Sequence, residues 1–247
     1  MTILCIETST SVCSAAICKD GVPAEQCICR EGSNHARLLP RYMESLLLFA
    51  RRNGLTIDAV ALSEGPGSYT GLRIGTSTAK GLCYGLNVPL IPVPTLEVLC
   101  EAAKSEIINH KFEITNGTLV PMIDARRMEV YTALYNGERE NGERREAKAV
   151  IVESEASLLS FSTAVHGLSA QRSIYYFGDG ASKCQAVLTQ PNWHFIPGIV
   201  PEAQYMGTLA ETITNHRSPI TNHQLAYYEP YYLKEFIAAP SHVKGLS

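Results

Sequence analysis

The chain predicts a two-lobed α/β fold in which one ββαβα-type unit occurs twice. Three observations predict it. An apolar run ending in an acid, then a second strand-like run and a turn dipeptide, occurs from Ile3 and again from Val120. The spacing from acid to turn glycine nearly repeats, 14 positions from Glu7 to Gly21 and 13 from Asp124 to Gly137. Each copy is followed by helical periodicity alternating with short apolar runs, the pattern of a sheet covered by helices. The linear division expected is residues 1–104 for the first lobe and 105–247 for the second.

Taken in order, Ile3–Glu7 is a buried strand and Val12–Cys18 a second. Asp20-Gly21 suits a type I′ hairpin turn, which needs φ > 0 at both central residues, so Val22–Arg30 returns as a third strand. Ser33 or Asn34 opens a helix with Leu39, Tyr42, Met43, Leu46, Leu47 and Ala50 at helical spacing, and Gly54 stops it. Pro40, one turn inside, implies a late start or a bend. Ala59–Ser63 is the next strand, followed by a glycine-rich turn, a helix through Leu86, a strand at Val88–Val93 and a helix at Leu96–Lys104. After the polar stretch Ser105–Thr118 the unit begins again with strands at Val120–Asp124 and Val130–Tyr135 and a turn at Asn136-Gly137. Helical signals follow at Glu155–Ser160, Ala181–Leu188 and Glu202–Asn215, with Pro201 at the first turn of the last.

Composition narrows the function classes. A length of 247 residues allows one or two domains, and 45% hydrophobic with 18% charged residues excludes wholesale disorder. A net charge of −3 excludes a chain that grips nucleic acid by itself, because phosphate neutralisation supplies most of that affinity. The eight cysteines include no Cys-x-x-Cys, and Cys5, Cys13, Cys18, Cys83 and Cys100 sit in apolar strand or helix patterns, so they read as small hydrophobes. The opening residues read as a strand rather than a leader, so the expected compartment is the reducing cytosol. No apolar stretch approaches the ~20 residues of a membrane span, and the mixed charges of Glu138–Lys148 read as a solvated loop.

The most informative stretch runs from Ser63 to Gly75. It is no P-loop, for no Gly-Lys-Ser/Thr closes it, and no Rossmann fingerprint, because Thr70 stands where the third glycine is needed. On residues alone it is a strand-to-helix turn whose glycines admit close backbone, with Ser68 as cap. The helix beyond is rich in Gly71, Gly75, Ser77, Ala79 and Gly81. The glycines and the serine lower helix propensity, so a packed surface must stabilise it, either the chain's own or a partner's. Glu7 and Asp124 are candidates to position Mg²⁺ and water or simply to close turns. Ser9, Ser68 and Thr70 are nucleophiles in principle, but no His–acid arrangement accompanies them, which disfavours a peptidase. None of the seven histidines pairs with another at i, i+4.

The duplicated strand–acid–strand unit is the layout of the actin-like ATPase (ASKHA) superfamily, which includes actin, hexokinase and Hsp70. "GPGSYTGLRIGTSTAKGL" resembles the signature of the TsaB (YeaZ) family. "ILCIETST", "HARLLPRYMESLL", "VPLIPVPTLEVL", "DARRMEVY", "GDGAS" and "PYYLKE" resemble that family's other markers in order, over nearly the whole chain. The resemblance implies a non-catalytic subunit of the complex that makes threonylcarbamoyladenosine in tRNA. It would pair with a TsaD-like paralogue, work with a TsaE-like ATPase, form a homodimer when alone and reach tRNA through the complex, with no membrane contact. The partner interface so implied holds Leu39, Tyr42, Met43, Leu46, Thr70, Arg73, Ile74 and Ser77, and weak nucleotide contact falls to Glu7, Ser9 and Asp124. No catalytic residue, cofactor or metal is implied: Thr95 and Leu99 stand where TsaD-like proteins carry a His-x-x-x-His pair. The sequence departs from the family in Glu7, where Asp is common, and in Ala36 and Lys234, where Ser and Arg are. The alternative is an autonomous ATPase or small-molecule kinase of the same fold.

Overall fold

The computed structural model describes residues 1–32, 34–109, 117–136, 150–152, 154–169 and 172–234. The first unit comprises β1 (Thr2–Glu7), β2 (Cys13–Lys19), β3 (Val22–Cys29), α1 (His35–Arg52), β4 (Ala59–Gly65), α2 (Tyr69–Leu86) and β5 (Leu90–Pro94). Its sheet has the order β3-β2-β1-β4-β5, antiparallel from β3 to β1 and parallel from β1 to β5. Asp20 and Gly21 both take positive φ, 51° and 77°, as the hairpin turn requires. β1 is buried along its whole length, hence its unbroken apolar run, whereas β3 at the sheet edge is largely exposed.

The second unit follows with α3 (Thr95–Asn109), β6 (Thr118–Asp124), β7 (Val130–Thr132), β8 (Tyr135–Asn136), β9 (Val150–Val152), α4 (Glu155–Ser169), β10 (Ile174–Phe177), β11 (Trp193–Ile196), α5 (Gly207–His216) and α6 (Asn222–Leu225). Its sheet runs β9-β7-β6-β10-β11, with β8 also on β6. Counted from the antiparallel edge, and with the two-residue β8 left out, both sheets therefore place third, second, first, fourth and fifth strands in the same sequence. This is the actin-like architecture that the duplicated pattern predicts.

Several elements differ from expectation. The strand expected over Val130–Tyr135 is two pieces, β7 on Met122–Asp124 and β8 on Thr118–Leu119. The helix expected over Ala181–Leu188 is a short 3-10 turn at Ser182–Cys184 with further tight turns. The apolar spacing of Ala181, Cys184 and Leu188 is met by those turns, which lay all three into the core with Val120 and Trp193. Glu202 is extended, a 3-10 turn spans Ala203–Met206, and the true helix starts only at Gly207. α3 absorbs residues 105–109 of the polar stretch. Ser33, Gly137, Glu138–Lys148 and positions 110–116 lie outside the described residues.

The halves interleave. α3 follows the first sheet in sequence, yet its Leu96, Leu99, Cys100, Ala102 and Ala103 pack with Leu119, Ile123 and Phe177 of the second. Conversely Ala203, Met206, Leu209 and Ala210 pack with Ile3, Cys5, Ala16 and Ile91 of the first. The chain then returns to the edge of the first sheet, where Ile220 and Leu90 of β5 exchange backbone hydrogen bonds of 2.8 and 2.9 Å.

Candidate functional site

Both units end their first strand in an acid, and both acids do the same local work. The backbone N–H of Ser9 donates to Glu7 Oε1 at 2.6 Å, and that of Arg126 donates to Asp124 Oδ1 at 2.9 Å. Each carboxylate thus closes the turn leaving its strand, a side-chain-to-backbone bond two residues on. The Ser9 hydroxyl also donates to Glu7 Oε1, at 2.5 Å. Glu7 Oε2 is buried and meets no partner among the described residues. Burial pushes the Glu7 carboxyl above its ordinary range, and the charge of Asp179 acts in the same direction. The Asp179 carboxyl is also raised, chiefly by burial, and accepts the N–H of Asp124 at 3.0 Å.

The second loop is held by a cation from another element. Lys183, in the 3-10 turn after β10, pairs with Asp124 and donates to the carbonyls of Arg127 at 2.8 Å and Glu129 at 2.7 Å. Arg126 and Arg127 turn the chain there with φ of 73° and 49°. One ammonium thus satisfies a carboxylate and two carbonyls of the tight turn.

The first loop is sealed by the glycine-rich motif. Thr8 and Ser9 have no exposed surface. Thr8 Oγ1 donates to the Gly71 carbonyl at 2.9 Å, and Ser68 N–H donates to the Ser9 carbonyl at 2.6 Å. A Cβ would stand 2.4 Å from Ser9 O at Gly67, 2.0 Å from Thr8 O at Gly71 and 2.3 Å from Thr8 Oγ1 at Gly75. These glycines exist because the loop after β1 lies directly on them. Thr95, at the first of the positions matching a metal-ligand pair, is instead buried: its hydroxyl meets Ser63 Oγ at 2.6 Å and accepts Gly65 N–H at 3.1 Å. Leu99, at the second, is core. Among the described residues no cluster of three His, Cys, Asp or Glu could hold a metal ion.

The structure divides the residues expected at a partner contact. Leu39, Met43 and Leu46 lie in the chain's own core with Leu4, Ile17 and Leu62, and Tyr42 and Ile74 pack half-buried against it. That is a correction: the apolar stripe of α1 faces the sheet, and its outer side carries Arg37, Arg41, Glu44, Ser45 and Leu48 instead. Thr70, Arg73 and Ser77 do lie on the exposed side of α2. Gly81 and Gly85 extend that side, with nothing within 4 Å of a would-be Cβ, and Tyr84 beside them is 80% exposed.

A cavity of about 530 Å³ flanks this face, between α2 and residues 228–232. The Arg73 guanidinium lies 4.9 Å from the centre of the Tyr69 ring, which meets the Tyr232 ring at 5.0 Å. Lys80 Nζ donates to the Ala226 carbonyl at 3.2 Å, and Tyr231 N–H to the Glu64 carbonyl at 2.7 Å. Sequence reasoning missed Lys80, Tyr228, Tyr232, Asp179 and Lys183 as site residues. The run Tyr227-Tyr228-Glu229-Pro230-Tyr231-Tyr232 was the signal for the cavity wall, and Gly178-Asp179-Gly180 for the carboxylate that meets the Asp124 N–H.

A family model described as TsaD, tRNA N6-adenosine threonylcarbamoyltransferase, matches residues 30–239. "tRNA threonylcarbamoyladenosine biosynthesis protein TsaB" of Escherichia coli is 38% identical over 146 residues, 58% of each chain. The protein of that name from Haemophilus influenzae is 35% identical over 135 residues, 53% of this chain and 52% of its own. The match thus spans about half the length of these curated relatives. Among solved structures, YeaZ from Pseudomonas aeruginosa superposes with a TM-score of 0.69 at 25% identity, over 94% of this chain and 99% of its own.

Proposed function

We propose that this chain, which belongs to the TsaB (YeaZ) family, serves as a non-catalytic subunit of the complex that makes threonylcarbamoyladenosine in tRNA. In that reading it pairs with a TsaD-like paralogue, a TsaE-like ATPase joins the pair, the chain pairs with itself when alone, and tRNA is reached through the complex. In the same reading the linear division of the chain is 1–104 and 105–247, a boundary that falls inside α3, and the compartment is the cytoplasm. No described helix is long and apolar enough to cross a membrane.

The observation that carries the non-catalytic reading is the closure of the loop after β1. An autonomous ATPase or kinase with two lobes needs backbone N–H groups and carboxylates free to meet phosphate and Mg²⁺. Here the N–H of Ser9 is taken by Glu7, and Thr8 and Ser9 are sealed under α2. Asp124 is spent on its own turn and on Lys183. Contact of nucleotide with Glu7, Ser9 or Asp124 is therefore weak in this reading. The contact with TsaD falls on the outer faces of α1 and α2, and on α2 small residues and open glycines permit close helix approach.

The test uses the purified chain with ATP, alone and with a TsaD-type subunit from the same genome. The expected result is co-elution as a pair, with turnover by the lone chain far below the ~1–10³ s⁻¹ of typical enzymes. Hydrolysis at such rates by the lone chain, abolished by Glu7→Ala, would overturn it. In the native cell, depletion should remove threonylcarbamoyladenosine from tRNA digests while other modified nucleosides persist; unchanged levels would sink the pathway assignment.

A further inference from the structure

We infer that the cavity beside α2 is a receptor for one acidic side chain, an Asp or Glu of the partner chain that packs on α2. The inference rests on the partner reading above and adds the chemistry of the contact. Its lining carries two cations, Arg73 and Lys80, against one carboxylate, Glu229, a net formal charge of +1. A singly charged carboxylate balances that; a phosphate dianion would leave excess negative charge beside Glu229. Arg73 offers a planar pair of donors suited to a carboxylate, and its guanidinium carbon lies over the Tyr69 ring, 4.9 Å from the centroid.

Two further groups line the cavity with hydrogen-bonding capacity unused. Thr76 and Tyr228 line it, and their hydroxyls are buried and meet no partner among the described residues. Buried hydroxyls are ordinarily paired, and an unpaired one is costly, so a pair of them around one cavity points to an absent acceptor. Both can donate, and a carboxylate accepts up to four bonds. Thr76 is 7% exposed and stands on α2 between Arg73 and Lys80, next to Ser77 on the open helix face. A chain lying along that face would therefore pass the cavity mouth. A free small anion would need no such neighbour.

The experiment measures binding of the full chain to the TsaD-type subunit of the same genome by fluorescence anisotropy, at low and high salt. Arg73→Gln and Lys80→Gln should each weaken binding about tenfold and flatten its salt dependence. Tyr228→Phe, which keeps the ring and removes the idle hydroxyl, should weaken it about threefold with Tm unchanged or higher. Arg73→Glu should bind worst, and one Asp→Lys or Glu→Lys change on the TsaD-type subunit should restore it. Wild-type affinity in both Gln variants, or no restoring reversal, overturns the inference while leaving the partner reading intact. Failure of the unmodified pair to bind overturns both. Inorganic phosphate stabilising the lone chain more than acetate does, with the gain lost in Arg73→Gln, makes the cavity a free-anion site and also overturns it.

Discussion

The Thr8 carbonyl oxygen occupies the space a side chain on Gly71 would need: an added Cβ would stand 2.0 Å from it. Gly71→Ala should therefore push the loop after β1 off α2 and destabilise the fold by ~1–3 kcal/mol or more, despite alanine's better helix propensity. Gly81→Ala, on the same helix with nothing within 4 Å, should stabilise by ~0.5–1 kcal/mol. Urea unfolding of both variants checks the pair; equal effects would refute the close-approach account.

Glu7 supplies a pH prediction with a defined sign. Its folded carboxyl is raised above the ordinary glutamate range by burial, so the folded state holds the proton more tightly than the unfolded state does. The stability this brings is full below the unfolded value and is lost as pH rises through the folded one. Asp179, likewise raised, adds to the same trend. Glu7→Gln keeps an oxygen to accept from Ser9 and carries no charge to desolvate. Its Tm should exceed the wild-type value at pH 8, and the difference should shrink towards pH 4. A difference that grows on acidification would contradict the raised carboxyl.

The two sides of the α1–α2 layer should respond oppositely to substitution. Leu46 has no exposed surface, so Leu46→Ala should cost ~2–5 kcal/mol. Ser77 is exposed on α2, so Ser77→Arg should leave stability within ~0.5 kcal/mol while abolishing co-elution with the TsaD-type subunit. Melting curves and size-exclusion chromatography of both variants separate the cases. Normal co-elution of Ser77→Arg would move the contact elsewhere.

Lys183→Met should loosen the second loop. It removes the donor to the Arg127 carbonyl and the counter-charge of Asp124, and leaves the Glu129 carbonyl with only the Ala125 N–H. A loss of ~1–3 kcal/mol is expected, with faster proteolysis between residues 124 and 129. Unaltered cleavage there would show that the ammonium does not hold the turn.

How much of this was legible in the sequence depended on range. The first unit was plain because Ile3–Glu7 is an unbroken buried run and Asp20-Gly21 fixes its hairpin locally. β10 and β11 were missed: four residues each, Ile174–Phe177 and Trp193–Ile196, are too short to show a period. The glycines of α2 signalled that something comes close, but Thr8 lies 63 positions before Gly71, a distance no local pattern spans. The α1 stripe was misassigned to a partner because Leu39, Met43 and Leu46 would show the same spacing against a sheet or against another chain. The residues between them, Arg41, Glu44 and Ser45, mark the outer side only once the sheet's position is known.

The interleaving of the halves has a consequence for birth on the ribosome. The first sheet has all its strands once Pro94 has emerged, yet Ala203, Met206, Leu209 and Ala210, which cover one of its faces, come more than a hundred residues later. At ~5–20 residues per second the nascent sheet spends roughly 5–20 s with Ile3, Cys5, Ala16 and Ile91 uncovered. α3 is meanwhile made before the sheet it packs against. Neither half can mature ahead of the other, so nascent chains arrested short of position 203 should bind a holdase chaperone, and those extended past position 216 should let it go.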